Sequence, residues 1–333
     1  MNTTVRLARR PVGEPVPDDW QVGQEPIPEL RDGQFLLRTQ YVSLDPAMRG
    51  WLDDRPSYLP PVALGEVMRA GTVGEVVDSR HPRFGVGTIV QGAFGVQSYA
   101  VSDGRGVTKV DPALGTPSMY LGVLGITGLT AYFGLFEHGR PRPGDTVVVS
   151  GAAGAVGTVV GQLAKLSGCR VVGIAGGAQK CQMVVQELGF DAAIDYRDGS
   201  MRKALREAAG DGIDVYFDNV GGEVLNAALA NLAMHARVVI CGAISQYNAQ
   251  APVPGPSNYL SLLVRRATME GFLVFDYERD YAVARNRLAA WVADGRLKAP
   301  ETIVTAEISD FHQVFMRLFA GDNVGKLVLA VQG

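Results

Sequence analysis

A glycine-rich turn between a strand pattern and a helix pattern constrains the fold of this 333-residue chain more than any other feature. Residues 146–150 read TVVVS, which is typical of a buried strand, and residues 151–157 follow as GAAGAVG. From 155 to 167 the apolar residues recur at helical spacing. Gly154 would let the backbone approach a pyrophosphate, and Gly157 would let the helix pack closely on the strand. The pattern predicts a dinucleotide-binding turn with the phosphates at the helix N-terminus.

Strand and helix patterns then alternate along the middle of the chain. Further predicted strands cover residues 170–175, 192–194, 213–218, 237–241 and 269–275, and predicted helices cover 178–188, 201–209 and 223–232. Repeated strand–helix–strand units predict a doubly wound parallel sheet, so the fold class is α/β. The Pro-rich segment 246–259 is the longest non-periodic stretch among them and is predicted to be a lid.

The two ends of the chain have a different texture. Short strand patterns lie at 34–42, 71–77, 88–90 and 97–101, separated by Gly and Pro. The last stretch holds one helix pattern, 308–320, and one strand pattern, 326–331. We therefore predict a β-rich, barrel-like domain formed by residues 1–122 and 296–333. A nucleotide-binding domain, 123–295, is inserted into it.

Composition limits the partners that the chain can have. Lys and Arg total 31 against 34 Asp and Glu, so the net charge is −3, which gives no electrostatic reason to bind nucleic acid or a membrane surface. No apolar run is long enough for a membrane span, and no signal-peptide pattern is expected. The three cysteines have no CxxC spacing, which favours a reducing compartment, so we predict a cytoplasmic protein.

The end of the second predicted strand bears on the choice between NAD and NADP. An acidic residue there would bind the ribose 2′-hydroxyl, but residues 175–177 read AGG. Lys180 follows in the first turn of the next helix, where a cation is mildly disfavoured, so a phosphate-binding role is favoured over a solvated one. Tyr196, after the third strand, offers a hydroxyl. We predict that the cofactor is NADP(H), held at Gly176, Lys180 and Tyr196.

Hydride chemistry in this chain is predicted to need no metal. A catalytic zinc site takes three protein ligands, yet the first domain has no Cys and a single His, His81, in what reads as an exposed turn. His138, His235 and His312 stand alone and are predicted to be ordinary, unpartnered residues. Cys241 is predicted to be a small residue at a strand end rather than a nucleophile, because no His or Lys adjoins it.

Six motifs, in order along nearly the whole chain, carry a resemblance to a known family. They are residues 41–50 (YVSLDPAMRG), 128–132 (GLTAY), 152–157 (AAGAVG), 217–222 (FDNVGG), 241–248 (CGAISQYN) and 323–326 (NVGK). Together they resemble the zinc-independent medium-chain reductases, in the branch of NADPH-dependent alkenal, prostaglandin and curcumin reductases. The resemblance implies a GroES-like catalytic domain, a Rossmann domain and a homodimer. It also implies hydride transfer from NADPH to the β-carbon of an α,β-unsaturated carbonyl compound.

The resemblance further implies which residues contact the cofactor: Thr127, Ala153, Gly154, Ala155, Val156, Gly157, Gly176, Lys180, Tyr196, Asn219, Cys241, Gly242, Ile244, Tyr247, Phe272, Val274 and Asn323. Ala47 departs from the pattern, since plant members usually carry Tyr there. A wider or differently polarised substrate pocket is therefore expected. Asp45 and Arg49 in the same motif are predicted to fix a loop through an ion pair.

The chemistry of enone reduction calls for a phenol. Hydride addition develops negative charge on the carbonyl oxygen, and a proton must then reach the α-carbon. Tyr58 is the first candidate for both roles, Tyr259 the second and Tyr247 the third. A quinone reductase on the same scaffold and a non-catalytic NADPH-binding protein stand as alternatives. An S-adenosylmethionine methyltransferase would need an acidic residue after the second strand, where none is found.

Overall fold

The computed structural model describes residues 1–332, which form two compact units. The first unit contains Met1–Gly122, Glu301–Asn323 and the chain from Leu327 onward, and the second contains Val123–Pro300 and Val324–Lys326. The sequence places the boundaries at 122/123 and 295/296. In the structure the second boundary follows Pro300, and the backbone N–H groups of Arg296 and Leu297 bond back to the Trp291 carbonyl.

The first unit starts as a succession of short strands. Its elements are β1 (Asn2–Leu7), β2 (Trp20–Glu25), β3 (Phe35–Ser43), the short helix α1 (Ala47–Gly50), β4 (Thr72–Ser79), β5 (Ile89–Gly92), β6 (Tyr99–Ser102) and β7 (Thr108–Lys109), with 3₁₀ turns at Pro17–Asp19 and Ser118–Leu121. β1 and β2 pair antiparallel, and β3 pairs antiparallel with β4 and β6. The four strands predicted in this region are confirmed, as β3 to β6, to within two residues.

The second unit is a doubly wound parallel sheet. Its elements are α2 (Ile126–Phe133), a π-helical turn (Gly134–Gly139), β8 (Thr146–Ser150), α3 (Ala155–Leu166), β9 (Arg170–Ala175), α4 (Ala178–Gln186), β10 (Ala192–Asp195), α5 (Met201–Ala209), β11 (Ile213–Asp218), α6 (Gly222–Leu229), β12 (Leu232–Ile240), a 3₁₀ turn (Ile244–Gln246), α7 (Ser261–Arg265), β13 (Thr268–Gly271), a 3₁₀ segment (Val274–Asp280) and α8 (Tyr281–Ala293). No helix within residues 1–332 is long and apolar enough to cross a membrane.

The order of the six strands is β10-β9-β8-β11-β12-β13, and every neighbouring pair is parallel. This is the Rossmann order, with its crevice outside the carboxyl ends of the strands. All five side chains of β8 are buried, as expected where helices cover both faces of a parallel sheet. The predicted α/β fold class is therefore confirmed.

The chain then returns to the first unit. It adds β14 (Glu301–Ala306), a 3₁₀ turn (Ile308–Asp310), α9 (Phe311–Ala320) and β15 (Lys326–Val331). The sheet of this unit runs β14-β15-β3-β4-β5-β7, with β6 also paired to β3. On α9 the buried residues Phe311, Val314, Phe315 and Leu318 follow one helical stripe and pack in the core of the unit.

Three predicted elements differ from the structure, and one of them is the strand predicted over 237–241, which is β12 and starts five residues earlier. The strand predicted over 269–275 ends at Gly271, and a 3₁₀ segment follows from Val274. The helix predicted over 223–232 ends at Leu229, because the Asn231 side chain donates to the Ala227 carbonyl and closes the last turn. β12 then begins at Leu232.

His312, on α9, has a partner that the sequence did not reveal. Trp20 Nε1 donates to His312 Nδ1 at 3.1 Å. Burial lowers the pKa of His312 from its ordinary value of 6.5, an effect that the carboxylates of Asp19 and Glu14 partly offset. A protonated ring cannot accept the Trp20 bond, so the folded chain favours the neutral imidazole.

We expect His312 to make the folded chain less stable in acid. The pKa of His312 is lower in the folded chain, so the unfolded chain binds the proton more readily. The contribution of His312 to the free energy of unfolding is therefore fully present above about pH 6.5 and is lost as the pH falls. His312→Gln keeps an acceptor for Trp20 but does not titrate. Urea unfolding between about pH 5 and pH 8 should therefore show a shallower pH dependence for the variant. Equal slopes for the two proteins would contradict the assignment.

Candidate functional site

The glycine-rich turn joins β8 to α3 in the second unit. Gly151 has φ of +60°, in the left-handed region. A Cβ on Gly157 would lie 2.2 Å from the Gly151 carbonyl oxygen, and one on Gly154 would lie 3.1 Å from the same atom. The first turn of helix α3 therefore packs directly against the backbone at Gly151, with no room for a side chain at Gly157. Ala155 and Val156 are the first residues of α3, so their N–H groups have no acceptor within the helix, and the pyrophosphate contact stays a prediction.

A short segment near the C-terminus closes on this turn. The N–H of Gly325 donates to the Ala153 carbonyl at 2.8 Å. Gly325 has φ of +63°, and a Cβ there would lie 1.9 Å from the Pro300 carbonyl oxygen. Only glycine fits at position 325 without a clash, so the hydrogen bond to Ala153 depends on this residue. Asn323, another predicted cofactor residue, belongs to the first unit.

The carboxylate of Asp218, at the end of β11, organises the neighbouring loop. Its Oδ1 accepts hydrogen bonds from the hydroxyls of Ser150 and Tyr216, and from the N–H groups of Val220 and Gly221, at 2.9 to 3.0 Å. Its Oδ2 is buried without a hydrogen-bond partner in the described chain. Sequence reasoning missed Asp218, although it lies in the FDNVGG motif, because a buried positioning carboxylate has no pattern of its own.

Asn219 follows Asp218 and is fixed on both sides. Its N–H donates to Ser150 Oγ at 2.8 Å, and its side-chain Nδ2 donates to the Ser150 carbonyl at 2.7 Å. The ends of β8 and β11 are thus tied together at the predicted nicotinamide end of the site.

The predicted residues after β12 form one compact loop. The Asp218 carbonyl accepts the N–H groups of Cys241 and Gly242, and the Asn219 carbonyl accepts that of Ile244. The Tyr247 hydroxyl accepts the Ala243 N–H at 3.1 Å, and it would lie 3.0 Å from a Cβ on Gly242. Tyr247 therefore braces this loop.

Burial raises the pKa of the Cys241 thiol to about 12, and the charge of Asp218 adds to the effect. A thiol with this pKa is protonated at neutral pH. The structure thus agrees with the reading of Cys241 as a small strand-end residue rather than a nucleophile.

Phe272 lies beyond the end of β13 and is held by aromatic neighbours. Its ring stacks on His138 at 5.0 Å between centroids. His138 is not unpartnered: its Nε2 lies 2.8 Å from the Tyr277 hydroxyl, and its Nδ1 lies 3.3 Å from a Glu270 oxygen. Two further predicted cofactor residues, Thr127 on α2 and Val274, are buried.

At the other end of the carboxyl edge, Tyr196 lies against Gly176. A Cβ on Gly176 would lie 2.8 Å from the Tyr196 ring and 2.9 Å from its hydroxyl oxygen. Lys180 is the third residue of α4 and is half-buried. Gly176 and Tyr196 therefore meet where β9 and β10 end, and Lys180 lies in the first turn of α4, which follows β9.

β9 itself ends without a carboxylate, as the sequence shows, but a carboxylate reaches this end from the neighbouring strand. Asp195, the last residue of β10, accepts the N–H of Gly177 on Oδ1 at 2.9 Å. Hydrogen bonds from the N–H groups of Gly177 and Arg197 lower the pKa of this carboxyl. Sequence reasoning looked only along β9, but neighbouring parallel strands end at the same edge and β10 supplies the charge.

In the first unit, Tyr58 lies in an exposed loop and is 45% accessible. Trp51 Nε1 donates to the Tyr58 hydroxyl at 3.2 Å, and the Arg69 guanidinium lies 5.6 Å from the centre of the Trp51 ring. The Val62 N–H bonds to the Trp51 carbonyl at 2.8 Å and closes the base of the loop. In the second unit, Tyr259 is 59% accessible.

Arg49 fixes this region, but its ion pair is not with Asp45. The buried guanidinium bonds to Asp53 at 2.8 Å and to the Gly13 carbonyl at 2.9 and 3.0 Å. Asp45 instead accepts a hydrogen bond from the Ser43 hydroxyl. One helical turn separates Arg49 from Asp53, which brings the two side chains together.

Of the remaining histidines, His81 is half-buried rather than exposed, with its ring against Phe35 and Phe84. Within residues 1–332, no three His, Cys, Asp or Glu side chains cluster so as to hold a metal ion. Metal independence stays a prediction.

Comparisons with known proteins place the chain among oxidoreductases. Two family models match it, "N-terminal domain of oxidoreductase" over residues 3–110 and "Zinc-binding dehydrogenase" over 155–290. The NADPH-dependent curcumin reductase of Escherichia coli is 42% identical over 332 residues, which are 98% of this chain and 96% of the relative. Mouse prostaglandin reductase 1 is 39% identical over 323 residues, 95% of each chain.

Solved structures agree. The structure of CurA from Vibrio vulnificus in complex with NADPH is 42% identical, with a TM-score of 0.94, over 99% of each chain. These relatives show an oxidoreductase that uses NADP(H). The chain belongs to the medium-chain dehydrogenases and reductases, in the NADPH-dependent branch of the curcumin and prostaglandin reductases.

We expect Lys180→Ala to weaken NADPH binding by about 10- to 100-fold, because one charge-assisted phosphate contact contributes roughly 1.5–3 kcal/mol. NADH, which lacks the phosphate, should bind almost unchanged. Fluorescence titration of each cofactor measures both constants.

The matched control is Lys203→Ala, since Lys203 is an exposed α5 residue paired with Glu207. This variant should bind both cofactors like the parent. Equal weakening of NADPH and NADH by Lys180→Ala would make Lys180 a structural residue.

Proposed function

We propose that the chain reduces the carbon–carbon double bond of α,β-unsaturated aldehydes and ketones, with NADPH as the hydride source. Relatives at 42% and 39% identity are named for curcumin and prostaglandins, which supports a reductase of this type. The observation that carries the proposal is the Tyr58 phenol, which is exposed and oriented by a hydrogen bond from Trp51.

The cofactor, when bound, supplies hydride; the chain's own residues must handle the charge and the proton. A substrate carbonyl oxygen gains negative charge as its β-carbon is reduced, and a hydrogen-bond donor stabilises that oxygen. Trp51 is the donor in its bond to Tyr58, so this bond does not use the phenol proton. In the proposed reaction the Tyr58 phenol is the hydrogen-bond donor to that carbonyl oxygen.

The other two phenols fit this role less well. Tyr247 is assigned to the cofactor by the resemblance, and its hydroxyl accepts the Ala243 N–H within the loop after β12. Tyr259 is more exposed than Tyr58 and ends the Pro-rich segment next to Leu260. We keep Tyr259 as the second candidate for proton delivery.

A quinone reductase is the alternative reaction. A quinone oxidoreductase from Pseudomonas syringae aligns over 99% of this chain with a TM-score of 0.79, but at 21% identity this likeness shows the fold alone. The higher identity to the curcumin and prostaglandin reductases favours the enone substrate.

Tyr58→Phe removes the donor and keeps the ring. We expect kcat to fall by roughly 10- to 1000-fold with an enone substrate, since one oxyanion donor contributes up to about 4 kcal/mol. NADPH affinity should be unchanged, because Tyr58 belongs to the first unit and not to the parallel sheet. Steady-state NADPH oxidation, with the product identified by mass spectrometry and NMR, measures the effect.

Tyr99→Phe is the control, since Tyr99 is a half-buried phenol on β6 of the same unit. It should behave like the parent enzyme. Unchanged turnover in Tyr58→Phe would transfer the role to Tyr259. An allylic alcohol as product would show that hydride goes to the carbonyl carbon, and no turnover of any enone by the parent would leave a quinone reductase or a cofactor-binding protein.

We also propose a homodimer formed through the β13 edge of the second unit. β13 is the last strand of its sheet, so its outer backbone groups can pair with another strand. Next to it, Leu260, Leu263 and Val264 are 58, 74 and 63% accessible, which is unusual for neighbouring large apolar residues. A second copy, related by a twofold axis, would cover both surfaces at once.

Leu263→Asp should convert the dimer to a monomer, because it places a charge on a surface that association would bury. Sedimentation velocity measures the mass of each form. Val283→Asp is the control, since Val283 is exposed at 55% on α8 and outside this patch. A monomeric parent protein would refute the proposed dimer.

A further inference from the structure

A cation that no motif singled out lies at the adenosine end of the second unit. Arg197 follows Tyr196 directly, and its guanidinium carbon lies 5.7 Å from the centre of the Tyr196 ring. Its Nη1 would be 3.7 Å from a Cβ on Gly177. Arg197 thus lies at the glycine pair that separates β9 from α4, beside the phenol already assigned to this end.

The electrostatics of this end require more positive charge than Lys180 supplies. The Asp195 carboxylate accepts the N–H groups of Gly177 and Arg197 on one oxygen, at 2.9 and 3.0 Å. Hydrogen bonds to the charged form lower the pKa of this carboxyl, so it stays ionised at neutral pH. A phosphate bound here would face that negative charge.

Arg197 is placed to offset it. Its side chain is exposed and lies over the Tyr196 ring, and its charge helps to lower the pKa of Asp195, although within residues 1–332 it forms no ion pair of 4 Å or less with a carboxylate. The guanidinium is planar, and its fork of N–H donors suits two-point binding of a phosphate; the contact with the ring restricts where that fork can lie.

We propose that Arg197 is a specificity-determining residue of the cofactor site, whose guanidinium binds the 2′-phosphate of NADPH from the face of Tyr196. Lys180 and the N-terminus of α4 bind the same phosphate from the other side of Gly177. Asp195 makes the site selective, because it repels a phosphate that is not met by both cations. The inference concerns cofactor choice and does not depend on the substrate of the enzyme.

The test is equilibrium binding without turnover. Arg197→Gln should weaken NADPH and adenosine 2′,5′-bisphosphate by about 5- to 30-fold, the effect of one exposed charge-assisted contact. NADH should bind as it does to the parent. Arg197→Lys, which keeps the charge but loses the planar fork, should lie between the two. Arg202→Gln, an exposed arginine on α5, is the control and should change nothing.

A second background separates direct binding from simple neutralisation of Asp195. Asp195→Asn keeps an acceptor for the N–H groups of Gly177 and Arg197 but removes the charge. If Arg197 binds the phosphate, Arg197→Gln should weaken NADPH binding in the Asp195→Asn variant by about the same factor as in the parent protein.

Three results would overturn the proposal. The first is a loss that vanishes in the Asp195→Asn background, which would mean that Arg197 only neutralises Asp195. The second is an equal loss for NADPH and NADH, which would make Arg197 structural. The third is no loss of NADPH or adenosine 2′,5′-bisphosphate affinity at all.

Discussion

The carboxyl edge of the parallel sheet depends on one buried side chain, Asp218. Its Oδ1 gathers two hydroxyls and two backbone N–H groups, and its own carbonyl accepts the N–H groups of Cys241 and Gly242. Burial raises the pKa of Tyr216 well above its usual range, so this phenol stays neutral and serves as a donor. A buried acceptor with so many donors holds the ends of β8, β11 and β12 in one register.

That register places two different chemical environments along one edge. At the predicted nicotinamide end, Phe272 contacts the rings of His138 and Phe217. The adenosine end is charged, because Asp195 and Arg197 arrive from β10 and Lys180 from α4. The division follows from strand order, since β10 lies at one side of the sheet and β13 at the other.

The sequence predicted helices and strands well where the spacing of apolar residues within one segment was enough to define the element. The turn at Gly154 and Gly157, the strands β8 to β11 and the helix α3 all have the lengths that periodicity suggests. The failures came from contacts between distant residues. Asp195 approaches Gly177 and Trp20 approaches His312, with no signal in the neighbouring sequence. Arg49 is a different case, because Asp45 and Asp53 both lie four residues from it and spacing alone does not choose between them. The site residues named from the resemblance remain predictions, although many of them gather at the carboxyl edge.

The placement of the last strand has a consequence for how the chain folds during synthesis. β15 lies between β14 and β3 in the sheet of the first unit, yet β3 ends at Ser43 and β15 begins only at Lys326. The six strands of the second unit are contiguous in sequence and can pair as soon as β13 leaves the ribosome. The first unit must instead wait with an incomplete sheet, and an unpaired strand edge of this kind is open to wrong partners. The final strand therefore acts as the closing step of folding, and a chain that stops before Lys326 would expose the interior strand β3 permanently.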